Sequence, residues 1–448
     1  MKLTKVIPRI NGRMMRVLAT AGATYLGRFG SGIVILVTLP MVRQALGSEL
    51  FGLWMMLSSL LAFMAFADLG VGNGVLNRIT LARATQDDLM FRRTLFSGYA
   101  VTTTVSVVLL LVWFAWEKWA TEPTSLAGEI APIHQAEVMT ALSAFVIVLA
   151  INIPGSLIQR IQLGVQEGYW NGINQFAAAI LTLIAVLVAL NYGANVALLV
   201  LATLGIQALV NVINTIIWFG RYRLLHWSPW RNTMDSRTFS ILVRTGSLFF
   251  MLQAAAAFAF QSDAIVITHT LGQSAYGDFA VVQKLFLFVS SLLSAAMVGL
   301  WPAFGDAIAL RDMVWARQTL RRGVTVAALI SLTAVSMLAL AMPWILNSWM
   351  QNSVSPSWTL IAALATWTVI DAITSVLAAY MNGANILRAQ VGVALVMAFT
   401  AFSGKWLLVP WLGATGATLA TIFAYCLISV PVQIYIFRNA FQTKEPML

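Results

Sequence analysis

The sequence predicts an all-α membrane protein, with twelve transmembrane helices in two six-helix lobes. Three observations predict it: an apolar composition, twelve long apolar runs, and a short phrase that occurs once in each half. The 448-residue chain is 60% hydrophobic and 10% charged, and its mean hydropathy is +0.83. A soluble domain is about 45–50% apolar and roughly 25% charged. Because too few polar residues remain to cover an exterior in water, we expect the bilayer to be the solvent.

Twelve apolar runs are long enough to cross a bilayer as helices, which takes about 20 mostly apolar residues. Their length and their apolar character on most faces exclude the strands of a transmembrane barrel, which are about 10 residues of alternating pattern. In chain order, the predicted spans are 18–45, 50–77, 94–116, 137–160, 174–191, 194–220, 239–269, 275–305, 321–346, 357–382, 388–409 and 413–437.

Lys and Arg are distributed unevenly between the two sides of these spans. The leader, the connections that follow even-numbered spans and the tail hold 22 of the 27 basic residues, whereas Arg43, Lys118 and Lys405 are assigned to the opposite side. Basic residues mark the cytoplasmic side of a membrane protein. We therefore expect both termini in the cytoplasm, as an even number of spans requires. The net charge of +11 then reflects topology and contact with anionic lipids, not binding of nucleic acid.

The sequence has no pattern typical of an enzyme, a metal site or a cofactor site. The single Cys426 excludes a disulfide within the chain, and the three His residues form no metal-ligand spacing. The phosphate-binding pattern G-x-x-x-x-G-K-[ST] is absent, so ATP is not the expected direct energy source. These features predict a secondary transporter without a catalytic site and without a cofactor.

A short phrase indicates that the chain is an internal repeat. "LGSELFG" at 46–52 and "LGQSAYG" at 271–277 share one form, and each falls at a predicted outer turn where a glycine is free to adopt positive φ. "NYGANVALLVLAT" and "WLGATGATLAT" are related by an offset of 220 residues. The offset of six spans predicts two lobes, 1–222 and 223–448, that face the same way about a pseudo-two-fold axis along the membrane normal. Repeats of this kind build alternating-access carriers.

The stretch 39–79 carries a more specific signal. It combines a Leu-Pro pair at Pro40, the phrase L-G-x-x-x-F-G and the run "DLGVGNG" from Asp68 to Gly74. This stretch resembles the start of polysaccharide transporter proteins, the family of the O-antigen flippases called Wzx. The family lies in a superfamily with the multidrug and toxin extrusion carriers and the lipid II flippases.

The resemblance implies a function in the bacterial inner membrane. It implies a flippase that moves a polyprenyl-diphosphate-linked oligosaccharide, an O-antigen or exopolysaccharide unit on undecaprenyl diphosphate, from the cytoplasmic to the outer leaflet. A proton or sodium gradient is the implied energy source, and a polysaccharide polymerase is an implied partner. Three alternatives stay open: a cation-coupled multidrug antiporter, a lipid II flippase, whose relatives usually have fourteen spans, and a membrane scaffold that transports nothing.

Intramembrane charges identify the candidate site, because each costs on the order of 2.5–3.5 kcal/mol to insert. Arg28 lies inside the first span and shares a helix face with Thr24 and Ser31. This polar stripe is suited to line a cavity, and a guanidinium matches the oxygens of a diphosphate. The alternative is a structural Arg paired with a buried carboxylate.

Lys284 is the second candidate for the diphosphate, and it lies at a depth similar to that of Asp263 on the preceding span. Asp263 and Lys284 therefore form either a structural ion pair or, as the sharper hypothesis, a switch that responds to a proton or cation. Asp371 lies mid-span, and Thr368, Ser375 and Asn382 share its face. Asp371 either carries the coupling ion or pairs with a basic residue.

Asp68 precedes "LGVGNG" at the end of the second predicted span. We interpret it as a helix-end residue with a role in gating.

Overall fold

The computed structural model describes residues 12–59, 68–119, 135–193, 195–222, 235–350 and 356–442. Every regular element within these ranges is a helix. The helices are α1 (Arg13–Ser59), α2 (Val71–Thr85), α3 (Asp88–Trp119), α4 (Gln135–Gly164), α5 (Tyr169–Asn191), α6 (Val196–Arg221), α7 (Ser236–Leu271), α8 (Gln273–Met297), α9 (Leu300–Ala309), α10 (Met313–Met350), α11 (Trp358–Gly383), α12 (Leu387–Leu412) and α13, which begins as Ala414–Ala424 and continues to Val430–Gln442.

Ten helical segments in the described part of the chain are long and apolar enough to cross a membrane. They coincide with the third to the twelfth predicted spans, so the all-helical class is confirmed. The first two predicted spans fall on α1, on residues 60–67, which lie outside the described ranges, and on the start of α2.

The predicted turn at 46–52 is wrong, because α1 continues through it as one helix of 47 residues. At about 1.5 Å per residue, α1 is roughly 70 Å long, more than twice the hydrocarbon core. The segment "GSELFG" contains no proline, and a helix tolerates an interior glycine at a cost of about 1 kcal/mol. The partner phrase does contain a turn, since Gly272 has φ +91° between α7 and α8.

The eighth predicted span, 275–305, consists of two helices. The α-helical ladder of α8 ends at Met297, and α9 begins at Leu300. Pro302 lies in the first turn of α9, where its missing N–H leaves no hydrogen bond unmade.

The chain divides into two compact units, unit 1 (Met1–Ser247) and unit 2 (Leu248–Leu448). In unit 1 one apolar core joins α4, α5 and α6, and a second joins α2, α3 and α4. In unit 2 one core joins α7, α8, α10 and α11, and a second joins α7, α12 and α13.

Helix–helix turns in unit 1 have counterparts of the same backbone form in unit 2. Gln86 and Arg311, 225 positions apart, both have φ 57°, and the next residue in each case donates its amide to the carbonyl five positions earlier. Gln166 and Asn385, 219 positions apart, have φ values of 63° and 57° and are followed by the same backbone hydrogen bond. This is the hydrogen-bond pattern that ends a helix at a left-handed residue.

The second sequence repeat is also present in the backbone. Gly193 (φ +71°) precedes α6 and Gly413 (φ +61°) precedes α13, at the offset of 220 residues. Each of these two helices then contains one wide, π-helical turn, Leu201–Gly205 in α6 and Tyr425–Ser429 in α13. The two halves of the chain therefore share a left-handed glycine before the helix, which the repeated phrase predicts. They also share a π-helical turn inside the helix, which the phrase does not predict.

Candidate functional site

Unit 2 contains a cavity of about 280 Å³ between α7, α11, α12 and α13. Its wall combines apolar side chains with three aromatic rings and a set of hydrogen-bonding groups. No Lys, Arg or His is among the residues that line this cavity. The polar lining residues are Asp371, Thr374, Ser375, Gln390, Ser429 and Gln433, and the aromatic ones are Phe260, Trp367 and Tyr425.

α11 supplies the acidic group of the cavity. Trp367, Asp371, Thr374 and Ser375 lie at i, i+4, i+7 and i+8 and so share one face of the helix. The hydroxyl of Ser290 on α8 lies beside the Asp371 carboxylate. Asp371 and Ser375, both singled out from the sequence, are therefore brought together at one cavity wall.

The rest of the predicted polar stripe on α11 is placed elsewhere. Thr368 is buried, and its hydroxyl donates to the carbonyl oxygen of Leu364 at 2.9 Å. Neither Thr368 nor Asn382 lines the cavity. Trp367, which the polar pattern does not include, takes the place next to Asp371.

The wide turn of α13 forms another part of the wall, in contact with α11. Tyr425 begins this turn and Ser429 ends it, and both line the cavity. One turn further, the Gln433 amide donates to the Tyr425 hydroxyl at 2.7 Å. A π-helical turn inside an α-helix frequently marks a functional site, because it shifts the register of the side chains that follow.

Asp263 forms a buried ion pair, but its partner is not Lys284. The Lys405 ammonium lies 2.5 Å from Asp263 Oδ1, and the lysine side chain is 0% exposed. The ammonium also donates to the carbonyl oxygen of Ala259 and, at 3.0 Å, to the hydroxyl of Ser262. The second carboxylate oxygen accepts from Gln283 at 3.1 Å. The pair thus joins α7, α8 and α12 within unit 2.

This pair corrects one expectation from the sequence, the pairing of Asp263 with Lys284. Lys284 is exposed and does not line the cavity of unit 2. Lys405, which the sequence counts with the outer side, lies buried inside α12. Hydropathy averages over a window and so does not separate a buried lysine near a helix end from a loop lysine. Three oxygen partners on α7 stabilise the buried ammonium.

Arg28 is half-buried on α1, close to a contact between α1 and α5. α1 crosses α5 so closely that a Cβ on Gly172 would lie 2.1 Å from the Ala23 carbonyl, and a Cβ on Gly27 would lie 2.7 Å from Gln175. Close backbone approach through small residues is typical of membrane helix pairs. This contact fixes the turn of α1 that carries Arg28.

The hydroxyls expected beside Arg28 bond to their own helix. Thr24 donates to the carbonyl oxygen of Thr20 at 2.8 Å, and Ser31 donates to that of Gly27 at 3.0 Å. Both side chains are partly buried. The structure places Arg28 in unit 1 and Asp371 in unit 2.

Asp68 determines how α2 begins. Its carboxylate accepts hydrogen bonds from the amides of Gly70 and Gly72, both at 2.9 Å. A Cβ on Gly72 would lie 2.5 Å from this carboxylate and 2.9 Å from Arg160. Gly72 is thus needed for the carboxylate to cap the helix closely, and Gly70 adopts the left-handed backbone (φ +74°) that precedes the helix.

An amide network joins α4 and α6 inside unit 1, and the sequence interpretation missed it. Gln159 donates to Asn211 at 2.8 Å, Asn211 donates to Asn152 at 2.8 Å, and Gln162 exchanges two hydrogen bonds with Asn214. Amides recur at i and i+7 on α4 and at i and i+3 on α6. That spacing in apolar helices was the signal available in the sequence.

Glu167 is a second polar group that sequence reasoning missed. It is 3% exposed between α4 and α5, and its carboxylate accepts from the Trp218 indole at 3.2 Å and from the Tyr222 hydroxyl. Burial, together with the hydrogen bond to Glu167, raises the pKa of Tyr222, so this hydroxyl stays protonated and keeps donating. We assign Glu167 to the packing of α6 against the α4–α5 turn.

The described residues contain no group of three His, Cys, Asp or Glu side chains able to hold a metal ion.

A family model for polysaccharide biosynthesis proteins matches residues 17–308. Two curated relatives also match. A putative O-antigen export protein of Yersinia pseudotuberculosis is 19% identical over 65% of each chain, and a putative O-antigen transporter of Salmonella typhi is 22% identical over 66% of each chain. The matches thus span just under two thirds of these relatives.

The fold resembles that of a solved multidrug transporter. An outward-facing multidrug resistance MATE family transporter of the MOP superfamily superposes with a TM-score of 0.79 over 97% of each chain, at 13% identity. At this identity the likeness concerns the fold alone.

Proposed function

Because the chain belongs to the polysaccharide biosynthesis protein family, we propose that it is a flippase for a lipid-linked oligosaccharide. The match of the family model, which extends over 17–308, is the observation that carries the proposal. The names of the two O-antigen relatives support the same substrate class. In this proposal the chain moves a polyprenyl-diphosphate-linked glycan from the cytoplasmic to the outer leaflet of a bacterial inner membrane.

The proposed architecture is a carrier of two lobes with both termini in the cytoplasm, in which the ten described spans correspond to the third to the twelfth predicted spans. The paired turns and paired π-helical turns support two halves of the same topology. Carriers built in this way alternate between two openings around a binding site near the middle of the membrane.

Arg28 is the proposed contact for the diphosphate. Its planar guanidinium donates two parallel hydrogen bonds to phosphate oxygens, which a lysine cannot do. The close contact of Gly172 with Ala23 holds the adjacent turn of α1, so the guanidinium is presented from a fixed backbone. Lys284 is exposed, and it serves in this proposal as a second, less specific positive charge.

Asp371 is the proposed coupling group. It is the one acidic residue lining the cavity of unit 2, and the group beside it in the described part of the chain is a neutral hydroxyl, that of Ser290. A proton or a sodium ion can therefore neutralise it without breaking an ion pair. Asp263, in contrast, is held by Lys405, and we assign it to structure. The membrane potential supplies about 2.3 kcal/mol per charge per 100 mV to such a step.

An export assay tests the proposal. The gene for this chain is deleted in cells that make a surface polysaccharide, and the cells are then complemented with the wild-type gene or with variants. We expect deletion to stop export and to leave lipid-linked oligosaccharide in the inner leaflet, and we expect wild type to restore both. Unchanged export after deletion would contradict the function. So would deletion cells that lose export but accumulate no lipid-linked oligosaccharide in the inner leaflet.

A cation-coupled multidrug antiporter is the second candidate. It is favoured by one observation, a cavity with an acidic side chain and three aromatic rings but no basic lining residue. Aromatic faces and a carboxylate attract an organic cation. Vesicles that hold the purified chain distinguish the two functions. Gradient-driven uptake of tetraphenylphosphonium, with no movement of lipid-linked oligosaccharide, would favour the antiporter.

A further inference from the structure

We infer that the cavity of unit 2 binds one sugar ring of the transported glycan, with Trp367 as the stacking face and Asp371 and Gln433 as hydrogen-bonding groups. This inference rests on the proposed function and goes beyond it, since it assigns a glycan subsite and specificity residues. Diphosphate recognition stays with Arg28 in unit 1.

The aromatic residues of the cavity form a connected set. The Trp367 ring centroid lies 5.6 Å from that of Phe260 and 5.7 Å from that of Tyr425, and the Trp367–Tyr425 contact is edge-on at 75°. Neighbouring rings therefore hold the indole in one orientation. A sugar ring presents a face of C–H groups, and such a face packs against the negative face of an aromatic ring.

The polar residues suit the rim of the same sugar. Asp371, Thr374, Ser375, Gln390, Ser429 and Gln433 provide both donors and acceptors around the cavity. A hydroxyl both donates and accepts, so it can pair with a carboxylate on one side and an amide on the other. Mainly apolar walls with a few placed polar groups are typical of small-molecule sites.

The other two parts of the proposed substrate fit the cavity poorly. A diphosphate would meet the Asp371 carboxylate without any lining Lys, Arg or His to compensate its charge. A polyprenyl tail would cover Asp371 and Gln433 without offering hydrogen bonds, which is costly for buried polar groups. The sugar portion is the one that satisfies both kinds of surface.

The size of the cavity limits the occupant. At about 280 Å³ it lies just below the range of about 300–1,000 Å³ that is usual for small-molecule sites. It therefore takes one sugar ring and not a complete oligosaccharide.

The π-helical turn of α13 independently indicates that this cavity is a functional site, because both ends of the turn, Tyr425 and Ser429, line the cavity.

A binding measurement on the purified full chain in nanodiscs tests this subsite. The probes are the lipid-linked oligosaccharide extracted from cells that make it, and undecaprenyl diphosphate without sugar. Wild type should bind the glycan-bearing lipid more tightly. Trp367→Ala should weaken binding of that lipid by about 3- to 10-fold, the usual scale of an aromatic contact, and leave the bare lipid unchanged.

Three further variants sharpen the test. Trp367→Phe keeps an aromatic face and should restore part of the affinity. Gln433→Leu removes the amide without emptying the cavity, and it should reproduce the selective loss if Trp367→Ala folds poorly. Trp344→Ala is the matched control, since Trp344 is 73% exposed and does not line the cavity, and it should bind both probes as wild type does.

Each remaining result overturns a different statement. If wild type binds both lipids and Trp367→Ala and Gln433→Leu leave their affinity ratio unchanged, the sugar subsite is refuted and the flippase function stands. If wild type binds neither lipid, the proposed function fails and the subsite fails with it. If sodium or tetraphenylphosphonium binds in a manner that needs Trp367 and Asp371 while the glycan adds no affinity, the cavity is a cation site.

Discussion

Replacing Lys405 by methionine should destabilise unit 2 far more than replacing both members of its ion pair. Methionine has a similar length and leaves the Asp263 carboxylate buried, with Gln283 as its remaining hydrogen-bond donor. Removing one partner of a buried ion pair costs about 3–5 kcal/mol, because the other charge stays desolvated. Unit 2 spans Leu248–Leu448, and a domain of this size loses about 2–4 °C of Tm per kcal/mol. The expected loss for Lys405→Met is therefore about 6–20 °C.

The decisive comparison is between the Tm of Lys405→Met and the Tm of a double variant that lacks both charges. Asp263→Asn with Lys405→Met removes both charges and keeps an oxygen that accepts from Gln283. Replacing both members of a buried pair by neutral groups is often close to neutral, so we expect the double variant to recover most of the lost Tm. Lys284→Met is the control, because an exposed lysine contributes within about 0.5 kcal/mol.

Thermal unfolding of wild type, Asp263→Asn, Lys405→Met and the double variant, with Lys284→Met alongside, gives the coupling directly as a double-mutant cycle when all are measured in one detergent at one scan rate. A Lys405→Met protein that unfolds at the temperature of Lys284→Met would refute the ion-pair reasoning. So would a double variant that is less stable than either single variant.

Three further outcomes follow from the structure. Arg28→Ala should abolish export of the surface polysaccharide at a normal protein level. Arg28→Lys should retain part of the export, because the charge remains and the paired donors of the guanidinium are lost. Export at the wild-type level from Arg28→Ala cells would remove Arg28 from the mechanism. Asp371→Asn should make transport in vesicles insensitive to an imposed proton or sodium gradient, while part of the substrate binding survives because asparagine keeps an oxygen that accepts from a sugar hydroxyl. An unchanged gradient dependence would assign Asp371 to structure. Gly172→Ala, whose Cβ would lie 2.1 Å from Ala23, should cost about 1–3 kcal/mol in thermal unfolding, whereas Gly22→Ala, with open space around it, should unfold like wild type.

The helical architecture was predictable because length and hydropathy suffice to identify a membrane helix. Ten predicted spans coincide with described helices for this reason. The continuation of α1 through 46–52 was not predictable from the glycines there, because a glycine permits a turn without requiring one. Gly272 adopts positive φ and ends a helix, while the matching phrase near Gly47 continues as α1.

The candidate site was predictable only where one helix carries its residues. The spacing along α11 placed Asp371 and Ser375 on one face, and the structure places both at the cavity. The partner of Asp263 lies 142 positions away on another helix, so its identity required the packing of α7 against α12. The same limit applies to Tyr425, which reaches the cavity through a π-helical turn that no local sequence pattern indicates.

Movement of a lipid-linked oligosaccharide across a membrane that holds only this chain is the most direct test of its proposed function. The purified protein is reconstituted into vesicles with the substrate in one leaflet, and its appearance in the other leaflet is followed with a glycan-cleaving enzyme that cannot cross the membrane. We predict rapid exposure with wild type and none with Arg28→Ala at equal protein content. Exposure at the rate of protein-free vesicles, from a wild-type protein that is folded and binds the lipid, would contradict the account.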